Sequence, residues 1–231
     1  SKLDAVDTIL YAAMGDEGFA IINVSDPSDA YFIGKFDSTG TTSDIKVKGP
    51  NAYVANSNFG LQIVNITDPL NPFTVSTLST GNFARTIEIV DSFVYIGNDT
   101  GGLKIINVSN PASPIQVGTC NTPGKANGLF IKDTLVFVAD YDYGMRIIDV
   151  SDKTAPVEIG SYDSPGYSYN VAVYDTFAIL ADHWRGFRIL SIADPANPVL
   201  LDSFETNGYA YDVVIEWPLL YLSDDTCGLR I

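Results

Sequence analysis

One histidine, His183, stands in the 231 residues, so it is the one side chain whose ordinary pKa lies near neutrality. A Ser-His-Asp or Cys-His arrangement would have to centre on it, in the run Asp182-His183-Trp184-Arg185. The residues at matching places elsewhere are Gly15, Ser57, Asp99, Tyr141 and Asp225, which is the pattern of a variable loop position. No nucleophile is paired with it in the sequence, and no catalytic residue is assigned. Carboxylates are the other candidates. Asp140, Asp182 and Asp224 recur at a fixed interval, with Asn56 and Asn98 at the two preceding places. Paired carboxylates about 5–5.5 or 6.5–9.5 Å apart would cleave glycosides. Calcium would need several oxygens converging at about 2.3–2.6 Å, and the loop pattern D-x-[DN]-x-[DN]-G is absent. An Asp repeated at the end of an apolar run reads first as a turn residue. Neither a zinc spacing, a dinucleotide fingerprint nor a phosphate-cradling loop occurs, so neither metal nor cofactor is expected.

Binding chemistry is better represented. Tyr141 and Tyr143, then Tyr167 and Tyr169, then His183, Trp184 and Arg185, then Tyr209 and Tyr211 crowd into four short segments. Corresponding segments earlier in the chain carry Asp16, Glu17, Asn58, Phe59, Phe83, Arg85, Asp99, Lys125 and Asn127. A Tyr/Trp-rich sector with carboxylates at its edge suits stacking on sugars or anchoring a peptide or protein. Tyrosines that merely fill loop packing are the plainer alternative.

The segments that must position these residues repeat. GFAIINVSDP begins at Gly18, GLQIVNITDP at Gly60, GLKIINVSNP at Gly102, GMRIIDVSDK at Gly144 and GFRILSIADP at Gly186, and GLRI begins at Gly228. Each step is 42 residues without insertion or deletion. A period of about 40–45 residues suits a four-stranded propeller blade. Each copy offers four strand-like pieces. The first is short (DIKV, TIEI, NVAV) and is followed by a two-residue turn such as Asp91-Ser92 or Asp133-Thr134. The second (NAYVAN, FVYIGN, LVFVAD) is apolar on both sides, as a strand buried on both faces must be. The third opens with the repeated glycine, expected at φ > 0, and ends at Asn23, Asn65, Asn107 or Asp149, which can bond backbone groups there. The fourth follows a second proline. These pieces predict an all-β chain, one β-propeller domain with six blade positions. Blades span about 1–42, 43–84, 85–126, 127–168 and 169–210, with a partial sixth over 211–231. A segment of a larger propeller is the alternative.

A formal net charge of −15 argues against nucleic-acid or anionic-membrane partners, which need a basic patch. No apolar run approaches the roughly 18 residues of a membrane helix, so no membrane insertion is expected. No signal-peptide pattern opens the sequence, and an exported form is expected to have had its signal removed. Cys120 falls where other copies hold Phe36, Leu78, Tyr162 and Phe204, a core place. Cys227 falls in a loop of a distant copy, and no disulfide is expected. Sequons at Asn23, Asn65, Asn98 and Asn107 read as structural asparagines.

Runs such as LQIVNITDP, LKIINVSNP and MRIIDVSDK, together with the apolar segments YVAN, VFVAD and ILAD that precede such runs, resemble the LVIVD repeat of bacterial and archaeal cell-surface proteins. The resemblance covers the whole chain; Lys153 in place of Pro and Met14 in place of Asp or Asn are its departures. It implies a β-propeller in an extracellular or cell-surface protein and no activity of its own. The function expected is a non-enzymatic binding or scaffold module with a glycan, peptide or protein partner on the aromatic sector. The alternatives are a hydrolase using Asp140, Asp182 and Asp224, or a spacer in a larger envelope protein. Strand addition at the open blade after Ile231 is also expected, by a partner or by further chain.

Overall fold

A computed structural model describes residues 2–231. The strands are β1 (Leu3–Val6), β2 (Ile9–Ala13), β3 (Phe19–Asn23), β4 (Tyr31–Phe36), β5 (Asp44–Lys48), β6 (Asn51–Ala55), β7 (Leu61–Asn65) and β8 (Phe73–Leu78). Next come β9 (Thr86–Val90), β10 (Phe93–Gly97), β11 (Leu103–Asn107), β12 (Ile115–Cys120), β13 (Gly128–Lys132), β14 (Leu135–Ala139), β15 (Met145–Asp149) and β16 (Val157–Tyr162). The last are β17 (Asn170–Tyr174), β18 (Phe177–Ala181), β19 (Phe187–Ser191), β20 (Val199–Phe204), β21 (Ala210–Glu216), β22 (Leu219–Asp224) and β23 (Leu229–Arg230). One 3-10 turn, Asp225–Cys227, interrupts the last sheet.

Consecutive strands pair antiparallel into five sheets of four strands and a sixth of three, β21-β22-β23. These are the blades of a β-propeller, six in number with the last incomplete, as the 42-residue period predicts. The chain divides into two compact units, Ser1–Asn98 with Lys104–Val117, and Asp99–Leu103 with Gly118–Ile231. In the first unit β1 packs on β5 and β5 on β9; in the second β13 packs on β17 and β17 on β21.

Burial follows the sequence pattern. Every residue of β6 is buried, and the four from Val94 to Gly97 and from Val136 to Ala139 are buried likewise. In the first unit Tyr11, Phe19 and Ile21 of one sheet pack with Ile45, Val54 and Val64 of the next. In the second, Phe137, Met145 and Ile147 pack with Val171, Leu180 and Leu190. The fourth strands are the exposed ones, down to β20, where all six residues are exposed.

The repeated glycine has its reason in this geometry. Gly60 has φ +80°, and a Cβ there would stand 2.4 Å from the carbonyl oxygen of Leu78. Its counterparts Gly18, Gly102, Gly144, Gly186 and Gly228 have φ between 65° and 78°, a region where side chains are strained. The asparagines behave as the sequence predicts: Asn23, Asn65 and Asn107 each accept from the backbone N–H two residues on, at 2.9, 3.1 and 2.9 Å. Asn98 differs. It is fully buried and donates to the Thr80 carbonyl at 2.9 Å. Cys120 and Cys227 are both free thiols.

Candidate functional site

The turn between the second and third strands meets the loop that leads into the next sheet. Isolated bridges join them in register at Ser57 and Ala84, Tyr141 and Ser168, and His183 and Ala210. Variable residues from the two segments are thereby set side by side.

The repeated Asp is part of the frame beneath this surface. Asp140 accepts from the Thr122 hydroxyl at 2.6 Å and the Gly124 N–H at 2.8 Å, and the Arg146 Nε lies 3.9 Å away. Asp182 accepts from Ser164, from Ser168 at 3.3 Å and from the Arg188 Nε at 3.0 Å. Asp224 accepts from Thr206 at 2.6 Å and from Arg230. All three carboxylates are fully buried. Burial pushes the Asp140 carboxyl above its usual range, against the pull of Thr122, Gly124 and Arg146. Each Asp clasps the loop arriving from the preceding sheet, eighteen residues upstream, which is more than the turn-capping read from sequence. In the two sheets with Asn at this place, Asn98 bonds Thr80, and Asn56 bonds Gln62 at 2.9 Å. The sequence held a signal for this: Arg146, Arg188 and Arg230 stand six residues after the aspartates, whereas Gln62 and Lys104 follow the asparagines.

Above the clasps, seven of the nine candidate binding residues form one continuous ring cluster. Tyr141 stacks on Tyr167 with centroids 4.4 Å apart and planes 12° apart, and Tyr167 stacks on Trp184 at 5.4 Å and 7°. His183 stacks on Tyr209 at 4.4 Å and 9° and meets Tyr211 edge-on at 5.2 Å. Tyr169 joins the two groups, edge-on to Tyr141 at 5.6 Å and to Tyr211 at 4.8 Å, and tilted against His183 at 5.2 Å. Arg185 lies 5.9 Å over Trp184 and pairs with Glu205 at 3.3 Å. Tyr143 sits apart from the cluster, beside the Arg146 guanidinium at 5.7 Å. Lys125, 5.3 Å over Tyr141, belongs to the surface and is absent from the nine. Trp184, Tyr209 and Tyr211 are 47%, 46% and 38% exposed, while Tyr141, Tyr167 and Tyr169 are half-buried. His183 titrates below its ordinary value, because burial outweighs the opposing charges of Asp225 and Asp182.

Among the described residues no group of three or more His, Cys, Asp or Glu side chains is placed to hold a metal ion, and no helix is long and apolar enough to cross a membrane.

The family model of the LVIVD repeat matches residues 9–38, 39–80, 81–122, 123–164 and 165–206. No curated protein matches the sequence. Among solved structures, the computationally designed protein Ika8 is similar over 96% of this chain and 67% of its own, at 8% identity and TM-score 0.75. U3-55K is similar over 96% and 72%, at 11% identity and TM-score 0.76. A functionally unknown protein from Desulfotomaculum acetoxidans is similar over 94% and 72%, at 15% identity and TM-score 0.76. At these identities the likeness is one of fold.

Proposed function

Because this chain belongs to the LVIVD repeat family, we propose that it is a non-enzymatic binding module of the cell surface, taking a protein or peptide partner on the ring cluster. The observation that carries this reading is the packing of the rings on one another. A sugar stacks on an open ring face, yet Tyr167 already has Tyr141 and Trp184 stacked on it, and what it offers a ligand is its edge. Rigid, pre-packed Tyr and Trp side chains lose little entropy when a partner covers them, which is how aromatic anchors serve protein interfaces. The half-exposed Trp184, Tyr209 and Tyr211 are the anchors, with Lys125 and Arg185 as charged neighbours. The buried, ion-paired Asp140, Asp182 and Asp224 hold loops in place, which speaks against their use in hydrolysis.

The test is a displayed-peptide library and a glycan array run side by side on the wild type and on Trp184→Ala/Tyr209→Ala. Peptides enriched by the wild type should lose at least about tenfold in affinity on the double variant, since aromatic hot spots are worth about 2 kcal/mol or more. Glycan binding without peptide binding, or peptides that bind both proteins equally, would overturn the reading.

A further inference from the structure

We infer that His183 is a proton-operated latch of the ring cluster: neutral, it packs the tyrosines around it, and protonated, it loosens them and weakens binding. The inference rests on the reading of the cluster as the binding surface. Four tyrosines enclose the imidazole, with Tyr209 stacked, Tyr211 edge-on, and Tyr169 and Tyr167 tilted at 5.2 and 5.8 Å. Its Nε2 lies 3.3 Å from the Tyr211 hydroxyl. Its Nδ1 is buried and has no hydrogen-bond partner among the described residues. A neutral ring that carries its proton on Nε2 leaves Nδ1 as a bare acceptor. An imidazolium must carry N–H groups at both nitrogens, and the one at Nδ1 would have nothing to receive it.

The charges facing the ring decide how readily it takes a proton. Asp182 precedes it on the same turn, and Asp225 faces it from the 3-10 turn of the next sheet; both favour the charged form. Asp182 is already engaged by Arg188, Ser164 and Ser168. Arg185, two residues on, is directed to Glu205. Burial outweighs these charges in the free protein. A partner laid over the cluster removes more water and widens the margin, so by linkage binding must weaken as His183 gains its proton.

As the sole histidine, His183 gives one unambiguous imidazole signal in an NMR pH titration. Its midpoint should fall below about 6.5, and the ring signals of Tyr209, Tyr211 and Trp184 should move with the same midpoint. His183→Phe, which keeps an uncharged ring, should remove that response. A midpoint at or above about 6.5, or rings that stay put while the imidazole titrates, overturns the latch. A peptide selected at about pH 7.5 should bind the wild type several-fold more weakly at about pH 5, and His183→Phe equally at both. Equal wild-type binding at both values overturns the latch and leaves the binding surface standing. A cluster that binds no peptide at any pH removes the surface reading, while the NMR midpoint still decides the latch.

Discussion

Asp182 and His183 are adjacent in sequence and opposite in duty, one fixed in the frame and the other set in the exposed cluster. The clasp makes a sharp prediction. Asp182→Ala would leave the buried Arg188 guanidinium without its counter-charge and the Ser164 and Ser168 hydroxyls without their acceptor. Removing one member of a buried pair costs about 3–5 kcal/mol, and the melting temperature of a chain this long moves roughly 2–4 °C per kcal/mol. Asp182→Leu/Arg188→Met, which removes both charges, should recover much of that loss in thermal melts. His183 adds a pH dependence. Folding holds its imidazole below the ordinary value, so on acidification the unfolded chain binds a proton before the folded one does. The stability it contributes is complete above about pH 6.5 and drains away as the pH falls towards the folded value. The melting temperature of the wild type should therefore drop more between about pH 7.5 and about pH 5 than that of His183→Phe. At this scale the sequence was only partly legible. Residue types marked the ring cluster, but the eighteen-residue reach from Thr122 to Asp140 depends on how consecutive sheets pack, which no local pattern displays.

Strands and turns were far more legible, because two rules acting on one sheet are written into every copy. A middle strand buried on both faces has to be a run such as NAYVA, and the positive φ at Gly60 admits no ordinary side chain without strain. A third device went unread: the bulge where the third strand pairs with the fourth. Pairing slips between Ile21 and Ile22, between Ile63 and Val64, and between Ile147 and Ile148, and the fourth strand turns a small residue towards the next sheet. Gly34 faces the Pro69 carbonyl, Ser76 donates to the Pro111 carbonyl at 2.6 Å, and Gly160 faces the Pro195 carbonyl. A Cβ on Gly160 would lie 2.0 Å from that oxygen. Gly160→Ala should therefore cost about 1–3 kcal/mol through the forced shift of the Pro195 loop. Asp202, at the same place in the following sheet, is exposed, and Asp202→Ala should stay within about 0.5 kcal/mol. Chemical denaturation of both variants checks the pair; equal losses would mean that the close carbonyl contact does not matter. Glycines at 34, 118 and 160 carried this signal at the repeat interval or a multiple of it, but a glycine in a strand has several readings until its neighbour is known.

Across the whole molecule, repetition divides the chain into a protected interior and exposed margins, and this sets where it opens first. Each complete sheet exposes its fourth strand more than its second. In the second unit, β14 has four buried residues in five, whereas β20 has none in six. The sixth sheet is more exposed again: Val214, Leu219 and Leu229 are 50%, 46% and 65% accessible, and both residues of β23 are exposed. Local opening follows such differences, because amides exchange early where little apolar surface must be uncovered. The ring cluster lies on turns tied back to this interior by the clasps, so the proposed binding residues sit at the edge of strands expected to open last. Native-state hydrogen exchange should rank the amides of β14 above those of β16 in protection, and those of β18 above those of β22. The turn amides at Tyr141 and His183, each bonded across to the next loop at 3.1 Å, should be better protected than turn amides elsewhere on the surface. Exchange at His183 as fast as in β20 would mean that the bridge between turn and loop does not hold in solution, and a rigid cluster would lose its support.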